Sequence, residues 1–436
     1  MGNPSRVLIY AKASDDVRTC RWLADLVMSR VMDGAAACNP ANAPEVSAVC
    51  AFFESKLTHL DKATRQYKHD ALPYNPSLLD LIGQGSTLVD FLDRKKVKQF
   101  SHPELGKEKA LTDFLNVQTK GRKLGEEDVL LIWGHGSASA TLERSLTELA
   151  SVKGRGLAGQ RAESRAEVNT LFAMDDHLQP AEIANALKAG GHKPGLILFS
   201  TCQGGTVELL DALRDSAHYL ISSPGTVYPT DWEYEKWLPT VFANQPFDAL
   251  DAGKKFIALS RAITNETNPF VVLSDLTKVD ALKVAVKAFV SAAETLPEID
   301  RLAIAKLIAA NNSYYTADSS LITVDLAHIA KEILGILLIP QECQAVIDAL
   351  KAVNIEADDT RVPNTFGGTS IVYPRIGVTP INGGAYLHEI NTLADKVFDS
   401  FAYKTGWRNL IKVTAGSKGL LGQQIGAKFG QGGQVR

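Results

Sequence analysis

Short apolar runs alternate with segments of helical period through the first half of the chain. The run RVLIYAKAS, starting at Arg6, reads as a strand, and DDVRTCRWLADLVMSRVM, opened by acidic residues, reads as a helix. A second strand follows in EVSAVCAFFES. KEKALTDFLNVQ carries apolar residues at helical spacing, and the strand DVLLIWG comes after it. The order then repeats as helix QPAEIANALKAG, strand GLILFSTC, helix TVELLDALRDS and strand AHYLISS. Strands separated by single helices predict parallel pairing, and hence an α/β sheet covered by helices on both faces. In such sheets ligands and chemistry gather just beyond the carboxyl ends of the strands.

The pattern changes twice. SVKGRGLAGQRAESRAEVN, residues 151–169, has few large apolar side chains and many Gly, Ala, Ser and basic residues, which predicts a long exposed loop. From about residue 240 the pattern turns helical, with clear amphipathic periodicity in VDALKVAVKAFVSAAETL and VDLAHIAKEILGILL. A strand-like TSIVYPRIG and the segment FAYKTGWRNLIKV follow. These shifts divide the chain into a core over 1–240, a mainly helical C-terminal region with a closing strand over 241–415, and a flexible Gly/Gln-rich tail over 416–436.

Composition narrows the function. With 436 residues, 45% of them hydrophobic, the chain can bury one large core or two ordinary ones. A net charge of −3 without a dense Lys/Arg block argues against a nucleic-acid partner, because phosphate binding needs clustered cations. No stretch reaches the roughly 18 uninterrupted apolar residues of a membrane span, so no membrane partner is expected. MGNPSRVLIYAKAS runs into a strand without a signal-like apolar core, and a chain complete at that end would be cytoplasmic. The five cysteines are scattered and include no C-x-x-C pair, so neither a disulfide framework nor a zinc or other metal site is expected.

Two residues stand out against that background. His135 ends the apolar run of DVLLIWGHG, and Cys202 ends LILFSTC, with Gly204 and Gly205 close behind it and a helix beyond. A histidine at a strand end can simply be a hydrogen-bonded structural group, and a lone cysteine is commonly a small buried hydrophobe, as Cys20, Cys38, Cys50 and Cys343 read. Both candidates, however, fall at the strand ends where chemistry collects. The glycines would let backbone approach a substrate carbonyl, and the following helix start favours a thiolate. A His–Cys pair so placed is one way to build a cysteine hydrolase.

The arrangement resembles the clostripain family of cysteine peptidases, which share the caspase-type fold with gingipains, legumains and separases. Beyond the His-Gly and the strand-end cysteine, the resemblance runs in order through LGKEKALTDFLN, LFAMDDHLQPAEIANAL, YLISSPGTVYPTDWEYEKWL, GGTSIVYPR and FAYKTGWRNLI, spanning about residues 5–412. It implies a caspase-like, mostly parallel sheet, with His135 and Cys202 as the catalytic dyad. It also implies an oxyanion hole from the N–H groups of Gly136 and Cys202. Relatives commonly carry Asp two residues before the nucleophile to bind a basic substrate side chain, and here that position is Ser200. Asp231, in PTDWEY, stands where a second pocket acid occurs and would supply the charge. Asp175 and Asp176 are further acids that could reach the site.

By the same resemblance, the loop at 151–169 would be an activation loop, cut by the enzyme itself or by another protease, with Lys153, Arg155, Arg161 and Arg165 as candidate processing sites. The implied activity is endopeptidase cleavage of protein or peptide substrates after Arg or Lys, with a role in regulated proteolysis such as bacterial defence or cell death. No cofactor is required, although some relatives use calcium. An activating protease or a regulatory protein would be the other partner. The main alternative is a catalytically silent caspase-like module that binds partners, which would predict a damaged dyad. A doubly wound nucleotide-binding enzyme would need a Gly-rich loop after the first strand, and IYAKASDDVR holds no glycine.

Overall fold

In the computed structural model, the described residues are 5–13, 27, 30, 31, 33–52, 55–61, 66–71, 77–79, 97–99, 108–119, 121–134, 178, 180–201, 204–225, 227, 232–243, 246–262, 270–310, 321–357, 367–374, 401–407 and 410. The loop at 151–169, the tail from 416 and Cys20 fall outside them.

Among the described residues one large sheet has nine strands. Its parallel centre is β1 (Arg6–Ala13), β2 (Glu45–Phe52), β7 (Val129–Gly134), β8 (Leu196–Ser200) and β9 (Tyr219–Ser222), in the spatial order β2-β1-β7-β8-β9. The strands β5 (Ser77–Leu79) and β6 (Val97–Gln99) extend it antiparallel beyond β2, and β10 (Val272–Asp275) and β12 (Asn354–Ala357) extend it antiparallel beyond β9. Two small ribbons pair β3 (Ser55–Asp61) with β4 (Gln66–Ala71), and β11 (Leu321–Asp325) with β13 (Ser370–Pro374). The architecture is therefore α/β with a mostly parallel centre. β10 and β12 show that the C-terminal half, helical by its periodicity, also completes one side of the central sheet.

The continuous apolar runs follow from burial on both faces. Along β7, Leu130 and Ile132 join one core layer, while Val129, Leu131 and Trp133 join the other. The first layer is closed by α1 (Glu108–Thr119), α2 (Pro180–Gly190), α3 (Val207–Leu213) and α6 (Val279–Thr295). The C-terminal helices α8 (Leu326–Gly335), α9 (Pro340–Val353) and α10 (Phe401–Thr405) join the same layer, beside α7 (Glu298–Ala310). The second layer is closed by α4 (Tyr234–Val241) and α5 (Ala249–Ala262). There Trp232 and Trp237 meet Phe256 edge-on at centroid distances of 4.9 and 5.5 Å. Cys38 and Cys343 are free and buried, and burial pushes their thiols up to about 11 and about 12. They behave as small hydrophobes, as their sequence context suggested.

At the amino-terminal end of the sheet, a buried ion pair ties β1 to the turn before β7. Asp128 accepts from the Arg6 backbone N–H at 2.9 Å and from its Nη2 at 2.8 Å, and also from the Gly125 N–H at 2.9 Å. The remaining guanidinium donors reach the carbonyls of Arg122 (3.0 Å) and Lys123 (2.7 Å). Its matched donors and acceptors offset the desolvation penalty that would make a bare buried charge costly.

Candidate active site

β7 and β8 are adjacent and parallel, and Trp133 lies opposite Ser200 in their register. β1 separates β2 on one side from β7 on the other, so the chain reverses its direction of sheet growth between β1 and β7. The crevice at such a reversal, beyond the carboxyl ends, is where α/β sheets place ligands. The two strands that precede His135 and Cys202 thus end side by side next to it.

Of the residues singled out from the sequence, Ser200 is described. His135, Gly136, Cys202, Asp231, Asp176 and the processing candidates Lys153, Arg155, Arg161 and Arg165 lie outside the described residues. What the structure defines is therefore the pair of strands, β7 and β8, that precede His135 and Cys202 in the chain.

Ser200 is buried in the layer that holds Trp133, Trp232 and Tyr234. Tyr234, from the first turn of α4, is fully buried, and burial drives its phenol well above the ordinary tyrosine range. The Ser200 side chain and the Arg30 charge oppose that rise. The Ser200 hydroxyl approaches the phenol without completing a well-formed hydrogen bond, and the Tyr234 hydroxyl has no other partner among the described residues. Trp232 Nε1 and Thr201 Oγ1 are likewise buried without a partner among them. Arg30 donates to the Trp232 carbonyl at 3.3 Å and lies 3.7 Å from the Glu235 carboxylate. The described floor beside Ser200 is thus hydroxylic and aromatic.

Gly204 and Gly205 lie close to the ends of β8 and β9. A Cβ on Gly204 would sit 2.5 Å from the Phe199 ring, and one on Gly205 would sit 2.6 Å from the Pro224 nitrogen. Neither position has room for a side chain, so the two glycines make this close packing possible. Gly205 donates to the Ser223 carbonyl at 2.7 Å, and Thr206 then caps α3 by accepting from the Leu209 N–H at 3.2 Å. Sequence reasoning assigned no role to Tyr234 or Trp232, although both stand in the WEY segment quoted above. Among the described residues no group of three or more His, Cys, Asp or Glu side chains converges as a metal site.

The family whose model matches the chain is described as the clostripain family, and the match covers residues 93–412. No curated protein matches significantly. Several solved structures are similar in fold. An inactive zymogen C11 protease from Parabacteroides distasonis aligns at a TM-score of 0.56 and 13% identity, covering 93% of this chain and 99% of its own. A secreted C11 cysteine protease from Bacteroides thetaiotaomicron, in complex with an irreversible peptide inhibitor, aligns at 0.54 and 14%, covering 93% and 100%. A further structure of a secreted C11 cysteine protease from Bacteroides thetaiotaomicron, iotapain, aligns at 0.54 and 13%, covering 85% and 94%.

Proposed function

The chain belongs to the clostripain family and is a cysteine peptidase, and from that premise we propose an endopeptidase that cleaves after Arg or Lys through His135 and Cys202. The observation that carries the dyad is the register of β7 on β8. Trp133 and Ser200 are opposed on neighbouring parallel strands, and each is followed two residues later by one member of the pair. In this reading Cys202 attacks the scissile carbonyl as thiolate, and the oxyanion is met by the N–H groups of Gly136 and Cys202. His135 protonates the departing amine, and then draws a proton from the water that hydrolyses the thioester. Thiolate and imidazole suffice for these steps, so the proposal includes no cofactor.

A basic substrate side chain would be drawn mainly by Asp231, with Ser200 offering a neutral acceptor and Asp176 a further charge. Protein or peptide substrates would include the chain's own loop at 151–169, cut at Lys153, Arg155, Arg161 or Arg165 by the enzyme or by an activating protease. A cytoplasmic setting and a role in regulated proteolysis, such as defence or cell death, complete the proposal, with cell fractionation as the test of location. The dyad is tested by Cys202→Ala, which should abolish peptidase activity, and by iodoacetamide, which should inactivate in step with alkylation of Cys202. His135→Ala should slow turnover by about 10²-fold or more. Substantial activity in Cys202→Ala would remove the assignment.

A further inference from the structure

One set of contacts outside that chemistry converges on Gly205, three residues beyond Cys202. The Gly205 carbonyl accepts two hydrogen bonds from one residue, Ser370 at the start of β13: its backbone N–H at 2.9 Å and its hydroxyl at 3.1 Å. Ser370 is fully buried, and it also bridges Thr206 in parallel. With the Gly205 N–H held by Ser223, both polar groups of this glycine are fixed by segments remote from it in sequence.

The Ser370 segment is itself anchored. The buried Asp325 carboxylate accepts from the Gly367 N–H at 2.9 Å and the Gly368 N–H at 2.9 Å, as well as capping α8 through the His328 N–H at 2.8 Å. Asn354 on β12 donates to the Gly367 carbonyl at 2.6 Å and the Thr369 hydroxyl at 2.8 Å, and Ser274 on β10 donates to the Asn354 side-chain oxygen at 3.0 Å. A chain of hydrogen bonds therefore runs from the sheet strands β10 and β12 to the turn behind the nucleophile position. Satisfying the buried Gly205 carbonyl needs only one donor. The second donor, the hydroxyl of the same residue, adds orientation rather than satisfaction.

We propose that Ser370 is a positioning residue for catalysis. Its paired donors fix the Gly205 carbonyl, and through the short segment before it they hold the Cys202 N–H in the direction of the developing oxyanion. Preorganised donors of this kind act on the transition state more than on bound substrate. The inference rests on Cys202 being the nucleophile.

The test compares Ser370→Ala with Ile371→Val, the next residue along β13, which is fully buried but faces the hydrophobic core. Ser370→Ala keeps the backbone donor and should fold. Its kcat should fall about tenfold with KM within about twofold, and the Ki of a peptide aldehyde ending in Arg should rise by the factor lost from kcat/KM. Binding of the corresponding peptide alcohol, which has no carbonyl to attack, should not change. Ile371→Val should lower Tm without these effects. If Ser370→Ala fails to fold, Ser370→Cys, close in size and a weaker donor, carries the same comparison. Wild-type kcat and aldehyde affinity in the substituted enzyme, or losses that merely follow Tm, would overturn the role of Ser370. Activity surviving in Cys202→Ala would overturn the nucleophile assignment instead.

Discussion

Trp133 and Ser200 face each other across neighbouring parallel strands, at the carboxyl end of the sheet's centre. Both are buried in the same layer, beside Tyr234 and Trp232. Ser200 therefore brings a hydroxyl to a place where a carboxylate would have to be desolvated.

That position sets the first prediction. Ser200→Asp, which buries a carboxylate beside Tyr234, should lower Tm. Asp231→Asn should lower kcat/KM on Arg and Lys substrates by about tenfold or more, the worth of a charge-assisted hydrogen bond. A substrate-library profile led by acidic residues, or an Asp231→Asn enzyme that cleaves basic substrates normally, would refute the pocket proposal.

Processing can be read by mass. Purified wild-type protein should separate under denaturing conditions into two fragments cut within residues 151–169, and Cys202→Ala should remain one chain. A wild-type enzyme that stays whole and fully active would show that the loop does not control activity.

The Arg6–Asp128 clamp should govern stability and leave catalysis alone. Asp128→Ala strands a guanidinium that is 4% exposed, and should cost about 3–5 kcal/mol in urea unfolding. Activity per folded molecule should be unchanged, because the clamp lies at the opposite end of the strands from the site. A loss below about 1 kcal/mol would mean that the pair is dispensable.

His192 supplies a pH dependence. Its Nδ1 accepts the Leu124 N–H at 3.2 Å, while Nε2 is buried without a partner among the described residues. Burial, followed by the charges of Arg6 and Lys123, lowers its pKa below the ordinary 6.5, against a smaller opposing effect of Asp128. The unfolded chain then binds more protons than the folded one below about pH 6.5, so stability should fall as the pH drops through that range. His192→Leu leaves the Leu124 donor unpaired and should cost about 1–3 kcal/mol at pH 7.5. The gap between the two proteins should narrow by pH 5. A gap independent of pH would show that His192 does not titrate abnormally.

Much of this architecture was legible locally. β7, α2, β8, α3 and β9 follow from apolar runs and helical periods, because strand and helix impose different repeats on side chains buried against a core. The strand-end placement of the segments before His135 and Cys202 followed from the same repeats. β10 and β12 were not legible. Each has four residues next to a long helix, too short for a period to separate them from it. The packing beside Ser200 was hidden for another reason, since nothing near Ser200 in the chain announces that Tyr234 will stand next to it.

The sequence by itself thus determined the periodic elements, their parallel order and the two chemically unusual strand ends. Only the tertiary structure decided which residues meet across long separations: Arg6 with Asp128, Ser200 with Tyr234, and Ser370 with Gly205. A repeat in sequence reports which face of an element is buried. It carries no record of what stands opposite, because that partner is selected by the packing of the whole chain and by the cost of leaving buried polar groups unmatched.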